Sequence, residues 1–191
     1  MALRRRAAGA LLLAACTSCA IASRTPADPP VILTGAAGEV LDPSAIAARA
    51  RWTVLVFFSG ECACVTSHEP RLRALEATYR GRGVQFFWVD SESGGSAATD
   101  ADESRRRGHS FPILRDPGAR LAARLGAEYA TDSVVLDPRG DVLYRGGIDS
   151  DGGMLRDDAT PYLKNALDDL LAGRRPRVSE AEGLGCALRK W

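Results

Sequence analysis

Cys62 and Cys64 stand one alanine apart in VLVFFSGECACVTSHEP, Val54 to Pro70, where an apolar run gives way to helical periodicity. Two thiols this close could carry out thiol–disulfide exchange, hold a soft metal ion, or pack as small apolar residues. A cysteine at the junction of a strand and a helix faces free backbone N–H groups and the positive end of the helix dipole, which favour its thiolate. Glu61 beside it can raise the thiol pKa or accept its proton. Two residues along a helix lie about 200° apart around the axis, so Cys62 and Cys64 are expected to point apart unless the first turn unwinds. Cys186, in the glycine-flanked stretch GLGCALRKW, is the other candidate partner, as a resolving thiol or a permanent staple.

The same segment offers a second chemistry. Cys62, Cys64 and His68 read as Cys-x-Cys-x-x-x-His, soft donors that suit copper(I) or zinc, with His109 available as a fourth ligand after folding. Cys-x-Cys is not a common zinc spacing, so copper is the alternative to a reading without any cofactor. His109, in GHSFP, reads as a loop residue. The aspartates 149, 151, 157 and 158 do not match the spacing of a calcium loop.

The first residues set the compartment. MALRRR is a positive n-region and AAGALLLAA an apolar run too short to span a bilayer. It ends in Leu13-Ala14-Ala15-Cys16, which resembles a bacterial lipobox, with Cys16 as the lipidated residue. Residues 1–22 are therefore expected to be an export segment, cleaved before Cys16 or after Ala22. Residues 23–30, SRTPADPP, follow as a polar linker, 31–175 as the domain, and 176–191 as a tail carrying Cys186. The mature protein is expected outside the cytoplasm, facing the periplasm or cell exterior and held to a membrane by acyl chains. Disulfides persist there. Cys62, Cys64 and Cys186 remain after the leader, and an odd count leaves one thiol free or exchanging.

Composition narrows the partners. Of 191 residues, 25 are Lys or Arg and 24 Asp or Glu, and no basic cluster carries interleaved aromatics, so nucleic acid is excluded as a partner.

The elements that must position the thiols follow. VILTGAAGEVL reads as a short strand and turn, with Asp42-Pro43-Ser44 starting a helix. WTVLVFF, Trp52 to Phe58, is a continuous apolar run expected as a strand buried on both faces. A helix follows from about Cys62 to Arg80, kinked or divided at Pro70. VQFFWVD is a second buried strand. SESGGSAATDADESRRRGHS reads as a loop with a solvated helix whose end is Arg105-Arg106-Arg107. FPILRD precedes a short helix, SVVLD and VLYRG form a hairpin across DPRGD, and Pro161 to Gly173 is an amphipathic helix. This alternation predicts an α/β fold with a mixed sheet.

That order, with a cysteine where the first long strand meets its helix, is similar to the thioredoxin fold. ECACVTSHEPRLRALEATYRGRGVQFFWVDSE, FPILRD, Gly126-Ala127, SVVLDPRGDVLYRGGID and Gly185-Cys186 together resemble the redoxins of the thioredoxin-like, peroxiredoxin-related superfamily. The resemblance implies a thioredoxin-like fold, a mixed central sheet flanked by helices. It also implies an attacking Cys62, with Cys64 or Cys186 resolving and a redox partner protein or disulfide-bearing substrate. Three departures stand out. Cys62-Ala63-Cys64 is Cys-x-Cys where thioredoxins hold Cys-x-x-Cys. Thr131 occupies the place of the family's cis-proline. Ser59 stands three before Cys62, where the peroxiredoxin signature has threonine, but Leu55 replaces its proline. Thiol–disulfide oxidoreduction is the leading expectation. The alternatives are thiol peroxidase, copper metallochaperone and non-catalytic binding module.

Overall fold

The computed structural model describes residues 30–190. The export segment, its Cys16, and all but the last residue of the linker lie outside the described residues.

Seven strands form one mixed sheet. In chain order they are β1 (Leu33–Thr34), β2 (Val40–Leu41), β3 (Trp52–Phe58), β4 (Val84–Asp90), β5 (Ile113–Arg115), β6 (Ser133–Leu136) and β7 (Val142–Gly146). Across the sheet they run β2-β1-β5-β4-β3-β6-β7. β3, β4 and β5 are parallel, while β6 and β1 join the parallel core antiparallel from its two sides. Every residue of β3 is buried, as an unbroken β-branched and aromatic run requires of a strand covered on both faces. The expected strand at VILTGAAGEVL is two short strands, because the chain turns back through Gly38 at φ +79°.

The helices are α1 (Pro43–Ala47), α2 (Ala63–Tyr79), α3 (Ala97–Arg107), α4 (Arg120–Leu125) and α5 (Tyr162–Leu171). α2 and α3 are the crossovers between the parallel strands. α2 is not divided at Pro70; it runs through all 17 residues. A proline there removes one rung, to the carbonyl four residues back, and the remaining rungs carry the helix past it. α3 starts at a capping box between Ser96 and Thr99 and stops at Gly108, whose φ of 58° ends the helical path.

The tail is part of the packed body. Tyr129 pairs antiparallel with Ala187, and Arg145 pairs with Glu180 in the parallel sense. Among the described residues no helix is long and apolar enough to cross a membrane.

Candidate active site

β3 ends at Phe58, and the turn Ser59-Gly60-Glu61 leads to Cys62 at the N-cap of α2. The Cys62 N–H donates to the Ser59 carbonyl at 3.1 Å, which fixes the turn. Cys62 has φ −83° and ψ 116°, so it is extended rather than helical. The 200° separation expected of two helical residues therefore does not apply. The sulfurs of Cys62, Cys64 and Cys186 all lie within 4.8 Å of one another.

Of these three, Cys62 and Cys186 are joined as a disulfide, with Cα atoms 5.8 Å apart, inside the usual range. Cys64 is free and half-buried. No side chain caps the N-terminus of α2, so its first N–H groups stay free at Cys62, an arrangement that favours a thiolate over a thiol there. Cys62 is 1% exposed, whereas Cys186 is exposed. An incoming thiolate must therefore reach the pair from the Cys186 side.

The tail is held across this site by its backbone. The Ala130 N–H donates to the Cys186 carbonyl at 2.8 Å, and the Leu188 N–H donates to the Glu128 carbonyl at 2.8 Å. Thr131 is buried with a trans peptide and φ 93°, and its hydroxyl donates to the Leu184 carbonyl at 3.3 Å. Thr131 thus meets this chain's own tail. Glu61 does not stay at the thiol. Its exposed carboxylate pairs with Arg189 at 2.9 Å, and Arg189 also holds Glu92 at 2.7 Å.

His68 is not where a metal set would need it. Nδ1 lies 2.8 Å from the Cys64 carbonyl and Nε2 3.1 Å from Asp149, with the ring buried. Both nitrogens are engaged, and the sulfur that joins Cys62 and Cys64 is Cys186. The fold therefore gathers the sulfurs of Cys62, Cys64 and Cys186, two of them joined as a disulfide, in place of Cys62, Cys64 and His68. Burial opposes charge on His68, but its bonds to Asp149 and the Cys64 carbonyl outweigh it and raise its pKa. Burial likewise pushes Asp149 up, and the bonds from His68, the Asp151 N–H and Arg71 bring it below the usual carboxylate range.

The aspartates at 149 and 151 are counter-charges. Arg71 holds Asp149 at 2.6 Å and Asp151 at 3.0 Å, and Arg156 holds Asp151 at 2.9 Å. They anchor the loop whose Gly153 lies beside Cys64: a Cβ there would sit 3.5 Å from the Cys64 sulfur. Ser67 donates to the Gly153 carbonyl at 3.0 Å, closing the same wall.

One expectation about a single residue is corrected, and a second is sharpened. Arg105 and Arg106 are solvated, but Arg107 is only 16% exposed. It donates to the Gly60 carbonyl at 2.5 Å and to Glu69 at 3.0 Å, and it pairs with Glu103. It ties the end of α3 to the turn that carries Cys62. It shares a face with the buried Asp100 and Glu103, seven and four residues earlier, but that face is charged, so hydrophobic periodicity does not mark it as inward. His109 lies in the loop after α3, as expected, with its side chain buried there, packed against Trp88 with ring centroids 5.1 Å apart and bonded to Glu69 at 3.3 Å. Beside the Cys62 turn lies an acidic cleft of about 520 Å³, lined by Glu61, Asp90, Glu92, Asp100 and Glu103, with Arg189 at its wall. Burial, then the neighbouring Asp90, push Asp100 up to about 7.

Comparison with known proteins bears on the family and the fold. The redoxin family model matches residues 23–160. No curated protein matches the chain. An uncharacterized conserved protein from Geobacillus kaustophilus is similar at 26% identity and a TM-score of 0.75, over 85% of this chain and 89% of that one. A hypothetical protein from Sinorhizobium meliloti 1021 is similar at 22% identity and 0.74, over 84% and 91%. A thiol-disulfide oxidoreductase from Bacteroides fragilis shares the fold at 18% identity and 0.53, over 61% of this chain and 87% of that one.

Proposed function

From the premise that this chain belongs to the redoxin family, we propose that it is an exported thiol–disulfide oxidoreductase with Cys62 as attacking thiolate and Cys186 as resolving thiol. One observation carries this: a disulfide joins the buried N-cap cysteine to an exposed tail cysteine, with a third, free thiol within 4.8 Å. In the reduced protein the Cys62 thiolate attacks one sulfur of a substrate disulfide. The other substrate sulfur leaves as a thiolate. Cys186 then attacks the Cys62 sulfur, which releases the second substrate thiol and closes Cys62–Cys186. Two electrons pass from the protein to the substrate, and a partner redox protein's dithiol returns them. The half-buried Cys64 is placed to intercept either mixed disulfide.

Reduction of a model protein disulfide tests this. Cys62→Ser is expected to abolish turnover, and Cys64→Ser/Cys186→Ser to trap a Cys62 mixed disulfide. Wild-type protein whose Cys62 never cycles would sink the reading. The lipid anchor at Cys16 is supported by the Leu13-Ala14-Ala15-Cys16 sequence. Labelled fatty acid should enter the wild type and not Cys16→Ser. The cluster of three sulfurs also favours a second reading, copper carriage by the reduced protein. Stoichiometric copper(I) retained by the reduced wild type and lost in Cys64→Ser would support it.

A further inference from the structure

The tail does more at this site than deliver a sulfur. From Gly183 to Arg189 it lies along the segment Glu128–Asp132 as a short antiparallel pairing partner, with bonds from Ala130 to Cys186 and from Leu188 to Glu128. An extended strand added to an exposed backbone edge is a general mode of peptide recognition. The fit here is closer than ordinary pairing. A Cβ on residue 185 would lie 1.8 Å from the Ala130 carbonyl oxygen, and one on residue 183 would lie 1.8 Å from Asp132 Oδ1. Neither glycine has a positive φ, so the requirement is one of space and not of backbone conformation. Three residues past the cysteine, Arg189 sits on Glu61 and Glu92 at the wall of the acidic cleft.

We propose that residues 128–132 form a binding edge for an extended peptide with glycine immediately before its cysteine and a cation three residues after it. The chain's own tail is its resident occupant, a strap that withholds the edge while Cys62–Cys186 is closed. This deepens the exchange reading and rests on it for the role of the cysteine. The chemistry of the peptide follows from what the tail satisfies. Its backbone pairs with Glu128 and Ala130, its glycine avoids the Ala130 carbonyl, and its arginine meets two carboxylates. Opening of the disulfide releases the covalent hold and lowers the effective concentration of the tail at the edge, so a competing peptide can enter.

The test is binding without any redox step. A fluorescein-labelled peptide of the tail sequence 183–190 with its cysteine replaced by serine, GLGSALRK, is titrated by anisotropy into full-length oxidised wild type. It is titrated in parallel into full-length Cys186→Ser/Gly185→Ala protein, whose strap is untied and unseated. The peptide is expected to bind the double variant at least about tenfold more tightly than the wild type, and GLASALRK at least about tenfold more weakly than GLGSALRK. Equal binding to both proteins overturns the strap, and indifference to the alanine overturns the edge. If Gly185→Ala prevents folding, Cys186→Ser/Arg189→Glu unseats the strap from its other end and the same outcomes apply. Reaction of the double variant with hydroxyethyl disulfide, with the adduct assigned to Cys62 or Cys64 by peptide mapping, reports separately on Cys62. An inert Cys62 alongside peptide binding would refute exchange and leave the edge standing.

Discussion

Cys186 is held twice within one residue: its sulfur is bonded to Cys62, and its carbonyl accepts the Ala130 N–H at 2.8 Å. The backbone bond keeps the resolving sulfur at the N-cap, so Cys186 has an advantage over Cys64 that proximity alone does not supply. Alkylation before reduction is expected to label Cys64 and spare Cys62 and Cys186, read by peptide mapping. Labelling of Cys186 with a Cys62–Cys64 bond in its place would overturn this ordering.

The disulfide spans a sequence separation of 124 residues. Chain entropy assigns a closed loop of that size about 5 kcal/mol, with measured values more often about 2–4. Cys186→Ala, or reduction, should lower the urea midpoint correspondingly without changing the sheet signal. A loss below about 1 kcal/mol would mean that the tail's backbone contacts hold it in place unaided.

The chain's two histidines should give opposite pH dependences. His68 has a raised pKa, so the folded state binds its proton more tightly. The stability this gives is fully present below the unfolded pKa of about 6.5 and is lost as pH rises through the folded one. Burial is the largest influence on His109 and outweighs its bond to Glu69, so its pKa is lowered. For His109 the unfolded state binds the proton more tightly, and stability falls as pH drops from about 6.5 toward the folded pKa. Urea midpoints across about pH 5 to about pH 9 should show His68→Gln flattening the alkaline limb and His109→Gln the acidic one. Unchanged slopes in both variants would contradict the assignment.

Arg107 should stand apart from its neighbours. Arg107→Met removes the guanidinium shared by Glu69, Glu103 and the Gly60 carbonyl, leaving Glu69 to Arg73 and His109 and Glu103 to the exposed Arg106, a loss of about 2–4 kcal/mol for a largely buried pairing. Arg105→Met and Arg106→Met, on exposed side chains, should each fall within about 0.5 kcal/mol of wild type. Because Gly60 lies in the turn before Cys62, Arg107→Met should also slow exchange more than its stability loss explains. Three equal variants would refute the inward role.

Much of the fold was legible in order and pattern. The apolar run Trp52–Phe58, the alternation of strand and helix, the DPRGD turn and the position of Cys62 at a strand–helix junction are local properties. Periodicity of 2 or 3.6 and turn chemistry act over a few residues, so the chain displays them directly. The same locality explains the misreadings. The helix after Cys62 was expected to turn the two thiols apart, yet one residue's extended φ/ψ at the N-cap keeps them together.

What tertiary structure alone decided is the pairing. Cys186 is 124 residues from Cys62, and nothing between them in the chain states that the two meet. The antiparallel bond of the tail to Ala130, the backbone contact that admits only glycine at 185, and the bond from His68 to Asp149 are contacts between distant segments. The sequence by itself determined that a thiol stands where a helix begins and that three thiols share the domain. Which of them bond, and which acids and bases surround them, depended on how the sheet brought β3, the 128–132 turn and the tail to one edge. Spacing along a chain carries local geometry, whereas proximity across it is set by packing the whole core.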